Sequence, residues 1–124
     1  MKNTAHGVAE AELYRLGIRY RKLDCTGGMF YYCRLPDGIT FDLFAGDDGS
    51  VKLWRFVSAA LPSESFIKYE YQDPAIPGFS IGLEVTEEGD VSFYVQRQID
   101  PESPERAELM YKTIAGYAAM LAQR

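Results

Sequence analysis

Two stretches of this chain align without a gap at an offset of 40 positions: FDLFAGDDGSVKLWRF from Phe41 and IGLEVTEEGDVSFYVQ from Ile81. Each sets two acidic residues, a glycine, one polar residue and a valine between strand-forming runs. That order suits a three-residue hairpin loop, in which a type I turn leads into a left-handed glycine. Turn chemistry explains the match, and no gene duplication is needed. The loop length fixes the register, and a slip of one position would turn every side chain to the other face. Around Gly89, Val85 then opposes Val91, Leu83 opposes Phe93 and Ile81 opposes Val95, all on one face. Around Gly49, Ala45 opposes Val51, Leu43 opposes Leu53, and Phe41 stands opposite Arg55. The other face of this hairpin carries Phe44, Trp54 and Phe56. It is therefore apolar on both sides, while the later hairpin is mostly one-sided. Strands of that kind need cover on both faces, from a central place in a sheet or from a partner.

The remaining elements fall around these hairpins. Residues 4–16 predict a short helix, with Thr4 as its cap and Gly17 where a terminating glycine belongs. IRYRKLDC and MFYYCRL read as strands joined at TGGM, with Gly27 and Gly28 as the turn. Ile67, Tyr69 and Tyr71 alternate with Lys68, Glu70 and Gln72, which favours a strand. A short helix capped by Ser63 is the other reading, and Pro74 and Pro77 make the following loop. At the C-terminus, Ser103 is a natural N-cap and Pro104 suits the first helical position. Ala107, Met110, Tyr111, Ile114, Tyr117, Ala118 and Leu121 form an apolar stripe that must cover one face of the sheet. Gly116 within this helix is expected to allow a close approach to a strand.

The 124 residues fit one α+β domain spanning 1–124. It would hold an antiparallel sheet of about five to seven strands, a short N-terminal helix and a long C-terminal helix packed on the sheet. A net charge of −5 argues against general nucleic-acid or anionic-membrane binding, both of which need a basic surface. The densest basic run, Arg15, Arg19, Arg21 and Lys22, reads as a solvated strand edge. No run approaches the ~18 apolar residues of a membrane span, and the start lacks a signal-peptide core, so a cytoplasmic location is expected.

Little in the sequence resembles catalytic chemistry. His6 is the only histidine, so neither a His-based triad nor a multi-histidine zinc site can form. The acid–glycine clusters at 47–49 and 87–90 fit turns better than a calcium loop, which needs alternating ligands and a bidentate Glu. Asp42, in a strand, suits a face-exposed ion pair. With Gly27 and Gly28 as the turn, Cys25 opposes Phe30, and Cys33 lies roughly 10 Å further along on the opposite face. A disulfide needs Cα atoms within about 7 Å, so none is expected. No catalytic residue, cofactor or metal site is expected.

LYRLGIRYRKLD, GFSIGLEVTEEGDVSFYVQRQI and PERAELMYKTIAGYAAML, taken in order, resemble the YbjN-like family of putative sensory transduction regulators. That family looks like the type III secretion chaperone fold. The resemblance implies a non-enzymatic bacterial protein that dimerises and binds protein segments, and it brings no catalytic residue. Phe44, Trp54, Phe56 and Tyr31 are the candidate partner or dimer interface. The alternative is a small-molecule site, an apolar pocket between the sheet and the C-terminal helix.

Overall fold

The register around Gly49 and across the later hairpin is the one the turn template dictates. Ala45 pairs with Val51 and Leu43 with Leu53. Val85 pairs with Val91, Leu83 with Phe93 and Ile81 with Val95. Residues 5–59, 68–72, 78–85 and 90–122 are described by a computed structural model. Thr4, Ser63, Ile67, Pro74, Pro77 and the Glu87–Gly89 turn lie outside them.

The elements are α1 (Ala5–Arg15), β1 (Arg19–Cys25), β2 (Gly28–Arg34), β3 (Thr40–Gly46), β4 (Ser50–Ala59), β5 (Lys68–Gln72), β6 (Phe79–Val85), β7 (Asp90–Gln98) and α2 (Arg106–Ala122). All seven strands join one sheet in the order β1-β2-β3-β4-β7-β6-β5. Every neighbouring pair is antiparallel. The fold is thus α+β, and Lys68–Gln72 is a strand. A bulge interrupts β4 against β7 between Phe56 and Ser58.

Both helices cover the same face. One row of that face runs Tyr31, Leu43, Leu53, Val95, Ile81 and Tyr71 across six strands. Tyr31, Leu43, Leu53 and Val95 are fully buried, together with Leu13 of α1 and Ile114, Tyr117 and Leu121 of α2. The Tyr117 ring stacks on Phe93 at 5.3 Å and meets Phe41 edge-on at 5.5 Å. Its hydroxyl donates to the Phe93 carbonyl at 2.7 Å, so the ring is buried with its polar end satisfied. Thr113 joins the buried stripe of α2, which its residue type does not suggest. Its hydroxyl donates to the Leu109 carbonyl within the helix.

Glycines explain the tight corners. Gly17 has φ 73° and closes α1, where Ile18 N–H donates to Leu13 and Gly17 N–H to Tyr14. This is a Schellman motif, and its apolar contact joins Leu13 to Ile18. Gly49 has φ 92°, and a Cβ there would lie 1.8 Å from the Ile99 carbonyl oxygen.

Three details differ from the sequence reading. The β1–β2 turn is Thr26–Gly27 rather than Gly27–Gly28, so Cys25 pairs with Gly28 and Leu23 with Phe30. Gly27 supplies the positive φ, while a Cβ at Gly28 would strike the Ala45 carbonyl. α2 begins at Arg106, two residues after Pro104, although the Ser103 hydroxyl does accept from Glu105 N–H as a cap does. Gly116 is exposed, and a Cβ there would meet nothing within 4 Å, so it permits no close approach.

Candidate functional site

Strand alternation leaves a second sheet face, opposite the helices. Across β1 to β4, one row of it reads Leu23, Phe30, Phe44 and Lys52. The next row reads Arg21, Tyr32, Asp42 and Trp54. Phe56 extends this face along β4. Leu23 is 63% exposed, Tyr32 63% and Phe56 56%, while Phe30, Phe44 and Trp54 are half-buried. Exposed apolar side chains are ordinary singly, but a contiguous group marks an interaction surface.

The rings hold one another in place. Phe30 meets Tyr32 edge-on at 5.5 Å and Trp54 at 5.8 Å. The Lys52 ammonium lies 5.7 Å from the Trp54 ring centre and 5.2 Å from that of Tyr94. It also stands 3.3 Å from the Glu84 carboxylate, so an ion pair fixes the cation against both rings. The ring contacts and the ion pair therefore hold the aromatic surface in one arrangement.

Of the four candidate interface residues, Phe44, Trp54 and Phe56 share this face. Tyr31 does not. It points to the helices, is fully buried, and donates its hydroxyl to Glu10 of α1 at 2.8 Å. Tyr20 and Lys22 also bond Glu10, at 3.3 Å. Burial pushes the Glu10 carboxyl up, but the bonds from Tyr31, Lys22 and Tyr20 and the Lys22 charge outweigh it and hold the group below its ordinary range. Burial, then the Glu10 bond and charge, push the Tyr31 phenol up. Phe30, Tyr32 and Leu23 take the place of Tyr31 on the surface.

Asp42 lies between Tyr32 and Trp54 on the second face, and burial raises its pKa. Arg55, which alternates to the other face, donates to the Thr40 carbonyl at 2.6 Å. Asp48 accepts from the backbone and hydroxyl of Ser50, as a turn residue does. Cys25 and Cys33 are free, and lie on opposite faces. Burial, and then the charge of Asp42, push the Cys33 thiol up to about 12.

Among the described residues, no three His, Cys, Asp or Glu side chains group to hold a metal ion. No helix among them is long and apolar enough to cross a membrane. No family model matches the chain, and neither a curated protein nor a solved structure does.

Proposed function

We propose that this chain is a non-enzymatic, chaperone-like or regulatory module that binds protein, a partner segment or a second copy of itself, through the second face of β1–β4. The single observation that carries this reading is the ordered cluster of Leu23, Phe30, Tyr32, Phe44, Trp54 and Phe56 on the face that the helices leave uncovered. Aromatic side chains with few rotatable bonds give large contact area at small entropic cost, which is why they dominate interface energetics. The resemblance to the YbjN-like family points the same way.

The pocket alternative draws no support from the packing under α2. There the Tyr117 ring packs on Phe41 and Phe93 between that helix and the sheet. Sedimentation of the wild-type chain and of a Tyr32→Ser, Phe56→Ser double variant tests the reading. An assembly, with itself or with a co-purified partner, that the double variant loses at unchanged thermal stability supports it. A wild-type monomer that takes up no partner contradicts it.

A further inference from the structure

At the end of the aromatic surface toward Thr40, the second face changes character. Arg19 and Arg34 are directly opposed on β1 and β2, and Arg21 follows beside Tyr32. With Tyr20, Tyr32, Cys33 and Thr40, the three arginines line an open cleft of about 630 Å³. All three are exposed, and among the described residues none of their side chains has an ion pair, a hydrogen bond or a ring contact.

This arrangement is costly as it stands. Like charges directly opposite on neighbouring strands repel, and a third positive charge two residues along adds to the field. Basic residues on an edge strand can guard against edge-to-edge pairing, which accounts for Arg19 and Arg21 on β1. It does not account for Arg34, which sits on β2 with neighbours on both sides. The chain carries a net charge of −5, so a concentration of uncompensated arginines runs against its overall balance. An anionic group in the cleft would relieve the repulsion and meet guanidinium forks suited to planar carboxylates.

We infer that the cleft of Arg19, Arg21 and Arg34 takes the carboxylates of an acidic polypeptide segment, whose apolar side chains rest on Phe30, Tyr32, Trp54 and Phe56. This rests on the protein-docking reading of that face and specifies its partner. The half-buried Asp42 sets the orientation, since it repels carboxylates from the β3–β4 side. The segment's acids therefore lie over the Arg19–Arg34 end of β1 and β2, and its apolar residues over Phe30, Tyr32, Trp54 and Phe56. Charge complementarity of this kind selects the partner and speeds encounter.

The test uses the full chain and fluorescein-labelled peptides, Gly-Glu-Phe-Glu-Leu-Glu-Gly and the same peptide with glutamine for glutamate. The glutamate peptide is expected to bind, to quench or shift emission from Trp54, the chain's only tryptophan, and to weaken as salt rises. The glutamine peptide and the Arg34→Glu variant are expected to bind roughly tenfold more weakly or worse. The Lys112→Glu variant, which makes the same charge change on an exposed part of α2, should bind as the wild type does. Circular dichroism and thermal melting establish that each variant is folded.

Equal affinity for the two peptides would overturn the acidic-segment inference and leave the aromatic docking face standing. No binding of either peptide would overturn both. Inorganic phosphate that binds with the Arg34 dependence, while the glutamate peptide does not, would assign the cleft to phosphate and overturn the inference. Self-association abolished by Arg34→Glu, in the absence of peptide, would assign it to a second copy and likewise overturn it.

Discussion

Tyr31 and Tyr32 are adjacent in β2 and serve opposite sides of the sheet. Tyr31 is fully buried and donates its hydroxyl to Glu10 at 2.8 Å, whereas Tyr32 is 63% exposed beside Phe30. The first holds α1 to the sheet, and the second belongs to the proposed docking surface. Their substitutions should separate stability from binding. Tyr31→Phe removes one buried hydrogen bond and is expected to cost about 1 kcal/mol in urea unfolding. Tyr32→Ser should stay within about 0.5 kcal/mol of the wild type, as surface changes do. A larger loss for Tyr32→Ser would place it in the core and contradict the account.

The Glu10 network carries a pH dependence of definite sign. The folded-state pKa of Glu10 lies below its ordinary value of 4.5. A depressed carboxyl contributes stability that is fully present above the unfolded value and is lost as pH falls through the folded one. Glu10→Gln is therefore expected to be less stable than the wild type at neutral pH, with the gap closing as pH falls below 4.5. Chemical unfolding of both proteins at stepped pH values measures the gap. A gap that widens in acid would contradict the assignment.

Two glycines should respond in opposite directions. Gly49 has a positive φ, and a Cβ there would collide with the Ile99 carbonyl oxygen. Ile99 N–H also donates to the Gly49 carbonyl at 2.8 Å, so the loop has little room to move. Gly49→Ala is expected to destabilise by at least about 2 kcal/mol. Gly116→Ala, on an exposed turn of α2 with open space around it, should stabilise by about 1 kcal/mol. Thermal melts of the two variants suffice, and a destabilised Gly116→Ala would show that this position is packed after all.

The cysteines differ by environment alone. Cys33 is buried, with its thiol pushed up to about 12, while Cys25 is half-buried at the end of β1. Only the thiolate reacts, so a disulfide reagent at pH 8 should modify one thiol rapidly and the second only after unfolding. Two equally fast thiols would show that Cys33 is open to solvent.

The contrast between Tyr31 and Tyr32 also shows how far the sequence can be read. Loop length dictates the pairing around Gly49 and between Val85 and Val91, because acid–glycine turns admit few geometries. The same grammar recurs at Pro36–Asp37–Gly38, where Gly38 has φ 93° and Gly38 N–H donates to the Leu35 carbonyl. That third turn sets Tyr31 opposite Leu43, on the core face, where it is found. The expectation of Tyr31 at the interface fails because β2 has aromatics on both faces and only α1 decides which is covered. The unpaired arginines are harder to see. Arg19 and Arg21 read as an ordinary solvated edge until strand pairing brings Arg34 opposite Arg19. Gly116 misleads because a helical glycine signals close packing only when another backbone lies against it.

The aromatic face of β1–β4 is where we propose that this protein meets another. Photo-crosslinking from defined positions tests it directly. A benzophenone amino acid replaces Tyr32, Phe56 or, as a control, Tyr14, which is 85% exposed on α1. Discrete protein adducts are expected from positions 32 and 56 in the native cells, and none from position 14. Adducts from position 14 alone, or from none of the three, would contradict it.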